Sequence, residues 1–486
     1  MRILFIGSAS IGPLYISTVL KKEGHTVYRI YQGYERCLGE RATPFLPPIT
    51  KESLLSLKPD VIGFSADTAT FSDAVEMASR IKEILPNTYI VFGGPHPTIC
   101  PKETIEKDPI DAICIGEGES AMGELCQYIQ IGKAPIDVRN LWVKHNNKIY
   151  KNLQRPYLQD LDSIPMDRDG IFYGGIYTGR GCVGRCAFCN TPTLKKNGPG
   201  GKYFRKRSVK DVLDEVEIVY KQLKAWSKKS IKKKLLWMIK MLIGKRNSFN
   251  SSEKGIPPLR FKDDTFLADK KWFLEFARLL HTRFPKLSYI CQARPNEIDE
   301  EVVYWLKKSG CVRVSMGFET GSEKLRNDVL HKSISNKQIS CACKLLREEG
   351  IEVMGQWMYG VPGETFLETI ETFIMSVKEG DFSQLHFTAP LPGTELFDIA
   401  LDKGLITPDY HLKSLYNSEL IFHNDEERFQ ILFISLIHIL KDVRIPENYK
   451  YIRYLGSKSD WRGKTVGEVI AGELESWGEK LKKKGP

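Results

Sequence analysis

The chain has 486 residues, with 71 Lys and Arg against 60 Asp and Glu, a formal net charge of +11, and 42% apolar against 27% charged residues. That length exceeds one ordinary core and calls for two or three domains, while the composition is that of a soluble globular protein rather than a membrane or fibrous one. No apolar run is long enough to cross a bilayer, and the opening MRILFIGSAS reads as strand and turn rather than signal peptide, so a cytoplasmic protein is expected.

The first third alternates short β-branched runs with amphipathic helical stretches. The runs are RILFI (2–6), TVYRI (26–30), VIGFS (61–65), YIVFG (89–93) and DAICI (111–115), with helical pattern between them, as from Asp73 to Leu85. Strands that are apolar on both faces and separated by helices predict an α/β fold with a doubly wound parallel sheet over residues 1–131. Such sheets bind ligands at the carboxyl ends of their strands, and glycines collect there: Gly7 and Gly12, Gly93 and Gly94, Gly116 and Gly118. Over 132–170 the periodicity fades and Pro135, Pro156 and Pro165 mark a linker. A second alternation follows over 171–395: GIYTG (175–179), LRFKD (259–263), SYICQA (288–293), VRVSM (312–316), VMGQWM (353–358) and LHFTA (385–389), with helical segments such as Asp269 to Phe284 and Ile334 to Glu349. Six strand–helix units predict a partial parallel (β/α)6 barrel whose site lies at the strand C-termini. A helical region is expected from 396 to 486, where ILFISLIHIL (431–440) is too short to span a membrane.

Eleven cysteines in such a chain do not suggest a disulfide framework, and Cys37, Cys114 and Cys126 read as small core residues. Cys182, Cys186 and Cys189 differ. They sit in Gly179-Arg180-Gly181-Cys182-Val183-Gly184-Arg185-Cys186-Ala187-Phe188-Cys189-Asn190, directly after a predicted strand, with spacing CxxxCxxC. Three thiolates in a short glycine-containing loop can face one iron-sulfur cluster and leave one iron open; a zinc site completed by a distant ligand is the rival reading. The segment resembles the radical S-adenosylmethionine superfamily, whose motif is CxxxCxΦC with an aromatic at Φ, here Phe188. The resemblance covers 171 to about 400. It implies a 4Fe-4S cluster whose open iron is chelated by S-adenosylmethionine, which is cleaved to a 5'-deoxyadenosyl radical.

Later strand ends carry further matches in order. Phe261-Lys262-Asp263-Asp264-Thr265-Phe266 is similar to the FxDDxF segment of the cobalamin-linked branch, so Asp263 and Asp264 either meet the cosubstrate's ammonium or cap the next helix. Arg294 ends the third strand, placed to meet a carboxylate or a surface partner. Gly317-Phe318-Glu319-Thr320-Gly321 resembles the ribose-contacting segment, with Glu319 the hydroxyl acceptor, and Gly360-Val361-Pro362-Gly363-Glu364 resembles the adenine-side loop.

Upstream, the first domain is similar to the B12-binding module that precedes many of these enzymes. Gly7-Ser8-Ala9-Ser10-Ile11-Gly12 keeps the last glycine of DxHxxG but lacks its Asp and its cobalt-ligating His. The resemblance therefore implies cobalamin bound base-off and His-off, or a module that has lost the corrin. Ser65 falls at the serine of the second element, and Gly93-Gly94-Pro95-His96-Pro97-Thr98 matches the GGxHPT form. Small residues there let a flat corrin approach the backbone, and His96 either faces the corrin or fixes a turn. Gly116-Glu117-Gly118-Glu119 also matches the branch, with helix capping as the plain alternative.

The positive charge concentrates in KQLKAWSKKSIKKKLLWMIKMLIGKR (221–246), within an insertion spanning 221–252. A basic amphipathic helix bearing tryptophan is read as peripheral contact with the inner face of a membrane, an acidic partner, or a helix packed on the barrel; nucleic acid is not expected. The leading expectation is methylation of an unactivated carbon of a small-molecule or lipid-linked substrate, with flavodoxin or ferredoxin as electron donor. Such a carbon has no lone pair and a very weakly acidic C–H bond, which closes the two-electron route. Ring formation or oxidation with the same cofactors is the alternative, and a non-catalytic cobalamin or iron-sulfur sensor the third.

Overall fold

The computed structural model describes residues 1–7, 11–31, 50–166, 175–227, 256–407 and 410. The first five strands are β1 (Arg2–Gly7), β2 (Thr26–Tyr31), β3 (Val61–Ser65), β4 (Tyr89–Gly93) and β5 (Ala112–Cys114), all parallel, in the order β2-β1-β3-β4-β5. Alternate residues fill two separate cores. Leu4, Ile62, Phe64, Ile90 and Phe92 pack on the side of helices Lys51–Leu57 and Phe71–Ile84, whereas Ile3, Phe5, Val61, Val91 and Ala112 pack on the side of Ile11–Lys22 and Glu119–Gln130. Burial on both faces is why these runs read as continuous apolar stretches.

The 132–170 segment holds more than a linker. Strands β6 (Leu141–His145) and β7 (Lys148–Lys151) form an antiparallel hairpin that extends the sheet to seven strands, with β6 paired to β5. Asn146 and Asn147 join them with φ of 49° and 57°, the left-handed pair that a tight hairpin turn requires and that asparagine tolerates.

Beyond it, β8 (Gly179–Arg180) pairs antiparallel with β9 (Arg205–Lys206), and five parallel strands follow: β10 (Leu259–Arg260), β11 (Tyr289–Ala293), β12 (Cys311–Glu319), β13 (Glu352–Tyr359) and β14 (Phe382–Phe387). Among the described residues, the expected first barrel strand joins this sheet through one parallel bridge, Ile176 to Phe261, after which the chain leaves to pair with β9. Helices Val209–Ser227, Lys270–Arg283, Glu300–Lys308, Asn336–Glu348 and Phe366–Glu379 cover the sheet. Several start on side-chain caps: Asp269 accepts from Trp272 N, Asp299 from Val302 N, and Ser335 and Thr365 make capping boxes with Gln338 and Glu368, each worth about 0.5–2 kcal/mol. Phe261, Phe266, Phe276 and Tyr289 are fully buried and in ring contact, so truncating Phe261 to Ala would cost about 3–5 kcal/mol.

Of the basic insertion, the described part ends with the helix at Ser227; 228–255 lie outside the described residues, as does the C-terminal region beyond helix Glu395–Asp402 except for 403–407 and Tyr410. Among the described residues no helix is long and apolar enough to cross a membrane.

Candidate active site

The β8–β9 ribbon launches the cysteine loop. At Gly181 the backbone turns with φ of 81°, and a Cβ there would stand 2.6 Å from the Tyr203 carbonyl oxygen, so glycine is needed for the chain to pass. Each sulfur that follows has an N–H directed at it: Gly184 N at 3.3 Å from Cys182 Sγ, Thr191 N at 3.4 Å from Cys189 Sγ, and Arg294 Nη1 at 3.8 Å from Cys186 Sγ. Donors of this kind orient and stabilise metal-bound thiolates. Gly184 lies between two of the sulfurs, where a Cβ would sit 3.4 Å from Cys182 Sγ, 3.7 Å from Cys186 Sγ and 2.9 Å from Arg294 Nη1.

A tetrahedral zinc with bonds of about 2.3 Å needs its sulfurs roughly 3.8 Å apart. Among the described residues, the three cysteines are not a group whose ligand atoms all lie within 4.8 Å of one another, whereas His96, Cys100 and Glu103 are. Burial pushes the Cys182 and Cys189 thiols above their ordinary range, so charge on either sulfur needs a cation beside it. Backbone bonds from Ala187 N to Leu330 O and from Leu396 N to Ala187 O pin the loop, and Phe188 packs on Leu325, Leu330, Val361 and Leu396.

Around this loop the strand ends present charge. The adjacent acids have different surroundings. Asp263 is buried and accepts from Thr178 N at 3.0 Å, Thr178 Oγ1 at 2.6 Å and Lys206 Nζ at 3.2 Å; with both oxygens engaged it anchors the first barrel segment instead of facing a ligand or capping a helix. Asp264 is the solvent-facing member of the pair, and crowding by protein, followed by the charge of Asp263, raises its pKa. Among the described residues the Arg294 guanidinium meets no carboxylate; besides Cys186 it reaches the Lys332 carbonyl oxygen at 2.5 Å and Asn296 at 3.4 Å.

Glu319 and Lys332 form a buried ion pair at 2.6 Å, with Lys332 Nζ 5.8 Å from the centroid of the Phe188 ring. Glu319 takes a φ of 66°, unusual for a side chain of its size, at an irregularity in the β12–β13 register. Arg326, fully buried in the one-turn π-helix Leu325–Val329, donates to the carbonyl oxygens of Phe318, Thr320 and Ile334, and burial lowers its pKa to about 10. At the next loop Gly360 has φ of 75° and its N–H donates to Glu364 Oε2 at 2.6 Å; burial raises the Glu364 carboxyl to about 8.

The first sheet presents a different edge. Gly7, Ser65 and Gly93 lie side by side in register on β1, β3 and β4. At Gly94, with φ of 101°, a Cβ would stand 2.8 Å from Ala66 O, while at Gly12 it would meet nothing within 4 Å. This small-residue platform fits a broad flat ligand. Ser8 lies outside the described residues. His96 is buried, its ring stacked on Phe71 with centroids 4.0 Å apart and Nδ1 at 3.3 Å from Thr68 Oγ1. Gly116 has φ of 79° and donates its N–H to Thr98 Oγ1 at 3.1 Å.

Glu117 reaches across to the cysteine loop instead of only capping a helix. Its carboxylate accepts from Arg180 Nη1 at 2.9 Å, Arg205 Nη2 at 2.8 Å and Leu158 N at 2.7 Å. Burial alone would raise its pKa, but the hydrogen bonds and charges of Arg205 and Arg180 hold it below the usual range. Sequence reading missed Thr178, Lys206 and Arg205, whose partners are remote in the chain, and Arg326 and Lys332, whose nearer partners fall in no recognisable motif; Arg180 was in view inside the cysteine motif without its partner.

Residues 8–126 match the B12 binding domain family and residues 253–375 the radical SAM superfamily. An uncharacterized methyltransferase of Pyrococcus horikoshii is 30% identical over 362 residues, covering 72% of this chain and 71% of that protein. An anaerobic magnesium-protoporphyrin IX monomethyl ester cyclase of Cereibacter sphaeroides is 25% identical over 84% of this chain and 64% of that protein. The fold also matches the radical S-adenosylmethionine methyltransferase TsrM from Kitasatospora setae, solved with cobalamin and a 4Fe-4S cluster, with TM-score 0.60 and 17% identity over 84% of this chain and 76% of that one. The cofactors implied by the two domains are cobalamin, a 4Fe-4S cluster and S-adenosylmethionine. The chain belongs to the cobalamin-binding radical S-adenosylmethionine enzymes.

Proposed function

We propose that this enzyme methylates an unactivated carbon of a small-molecule substrate held between its two sheet edges. The observation that carries the reading is the direct contact of those edges: Glu117 after β5 binds Arg180 beside the cysteines, and a Cβ on Gly393, in the loop after β14, would touch Ile99 of the helix that follows β4. On this reading, ligands on the two edges would face one another across that contact. The methyltransferase name of the Pyrococcus relative agrees with this reading. When bound, the cluster and S-adenosylmethionine supply the 5'-deoxyadenosyl radical and methylcobalamin the methyl group.

The chain's own residues supply position and charge. Cys182, Cys186 and Cys189 hold the cluster, with Arg294 donating to the Cys186 sulfur. Asp264, Glu319, Lys332 and Gly360 surround the cosubstrate: Glu319 accepts from a ribose hydroxyl, Asp264 faces the ammonium, and Lys332 offsets the carboxylate. Gly7, Gly12, Ser65, Gly93 and Gly94 form the corrin platform, with His96 behind its GG turn. Glu117 is engaged by protein and leaves the cofactor set.

Anaerobic enzyme reconstituted with iron, sulfide and methylcobalamin and reduced by flavodoxin or ferredoxin tests the reading. Deoxyadenosine release that is lost in the Cys182, Cys186 and Cys189 to Ala variant, with a product heavier by one methylene unit, is expected. Deoxyadenosine with a product of unchanged carbon count would replace methylation by ring formation or oxidation, the second reading, which the cyclase relative favours. The finer expectation of a lipid-linked substrate rests on 221–252. Liposome flotation unchanged by deleting that segment would remove it.

A further inference from the structure

We propose that Glu117, Glu119, Arg180 and Arg205 form an ion-pair clamp that fixes the separation between the corrin and the cluster, with Arg180 as its central positioning residue. The inference rests on the assignment of corrin to the first sheet and cluster to the cysteine loop, and goes beyond it in naming what holds the two in register. Arg180 donates from Nη1 to Glu117 at 2.9 Å and from Nη2 to Glu119 at 2.5 Å, so one planar guanidinium ties two carboxylates of the first domain to a backbone position one glycine away from Cys182. Arg205, opposite Arg180 in the ribbon register, grips Glu117 from both terminal nitrogens and also donates to Leu158 O at 2.6 Å. Leu158 N returns a bond to Glu117 at 2.7 Å, which straps the connecting segment into the same knot.

These contacts differ from ordinary surface pairs. The Arg205, Glu119, Arg180 and Glu117 side chains are 4%, 11%, 14% and 20% exposed, and each guanidinium lies near an aromatic ring, Arg180 by Tyr15 at 5.1 Å and Arg205 by Tyr157 at 5.0 Å. Pairs this dry and this multiply bonded hold geometry in a way that exposed ones do not. Two acids and two bases also sum to zero formal charge. The other side of the ribbon is held just as firmly: Lys206 binds Thr178 Oγ1 at 2.7 Å and Asp263 at 3.2 Å within the barrel. The ribbon is thus fastened to the corrin domain by its arginines and to the barrel by its lysine.

The test is pulsed electron paramagnetic resonance on substrate-free enzyme loaded with cob(II)alamin and the reduced cluster, reading the cobalt-to-cluster distance distribution. Iron content and corrin absorbance are measured first. The wild type is expected to give one narrow distance, and Arg180→Met and Glu117→Gln, at full loading of both cofactors, to lose it in favour of a broad distribution. A narrow, unshifted distance in both variants would overturn the clamp. If either variant loses a cofactor, Arg180→Lys decides: its ammonium keeps the charge but cannot span both carboxylates, so broadening supports the clamp and an unchanged distance refutes it. Failure of the wild type itself to take up corrin would instead strike at the assignment of the first domain.

Discussion

The C-terminal edges of the two parallel sheets occupy equivalent places in their folds yet are built from opposite chemistry. The first offers Gly7, Ser65, Gly93 and Gly94, residues that give up side chain for space; the second offers Asp264, Arg294, Glu319 and Lys332, residues that bring charge. On the proposed assignment of corrin to the first edge and cosubstrate to the second, the difference follows from what each edge would hold. A corrin is wide and flat and needs backbone approach, whereas a sulfonium amino acid beside an anionic cluster needs a counter-charge for each of its groups.

The sharpest way to break that comparison is Cys186→Ala, which removes a ligand and leaves Arg294 without its sulfur partner; iron content and deoxyadenosine release should both fall to background while corrin uptake persists. Next is Glu319→Gln, which leaves Lys332 buried beside a neutral amide. Destabilisation of about 3–5 kcal/mol in thermal unfolding is expected, with S-adenosylmethionine binding weakened about tenfold or more in equilibrium dialysis. Adding Lys332→Met should recover much of the stability and none of the binding, and recovery of both would show that the pair serves the fold alone.

On the apolar edge Gly94→Ala should cost about 1–3 kcal/mol and weaken corrin uptake, because its Cβ would meet the Ala66 carbonyl oxygen at a φ of 101°. Gly12→Ala is the control. Its Cβ has open space within a helix, so stability should hold or rise by about 0.5–1 kcal/mol, and any corrin loss reports ligand contact directly. A separate test is a pH slope. Glu364 is raised from 4.5 to about 8 by burial, so above pH 4.5 the unfolded chain gives up a proton that the folded one keeps. Stability from this group therefore falls as pH rises from about 4.5 to 8 and then levels off, and Glu364→Gln should flatten that part of the profile in denaturant titrations.

Much of this architecture was legible in the sequence because it depends on local pattern. Strands β1, β3 and β4 match their apolar runs within a residue, since burial on both faces leaves a continuous signature. The cysteine spacing is equally local. The β6–β7 hairpin was legible too and was passed over: Asn146-Asn147 between LWVKH and KIYK is a turn signal, hidden by reading the prolines on either side as a linker. What a single sequence cannot disclose is long-range pairing. Asp263 looks like a ligand residue until Thr178 and Lys206 claim it across 85 and 57 positions, and Glu117 looks like a cap until Arg180 and Arg205 reach it across 63 and 88. Lys332 stands in no motif, and only the return of the chain beneath Phe188 gives it a role.

Arg326 ties together three carbonyl groups, those of Phe318 and Thr320 flanking Glu319 and that of Ile334 just beyond Lys332. Strand end and loop are thereby joined through one cation that has no solvent exposure. Local opening at either Phe318 or Ile334 has to release the same guanidinium, so the two should exchange their neighbouring amide hydrogens as one cooperative unit. The acid and the base of the proposed cosubstrate site would then be gained and lost together, and the enzyme would populate that pair complete or not at all.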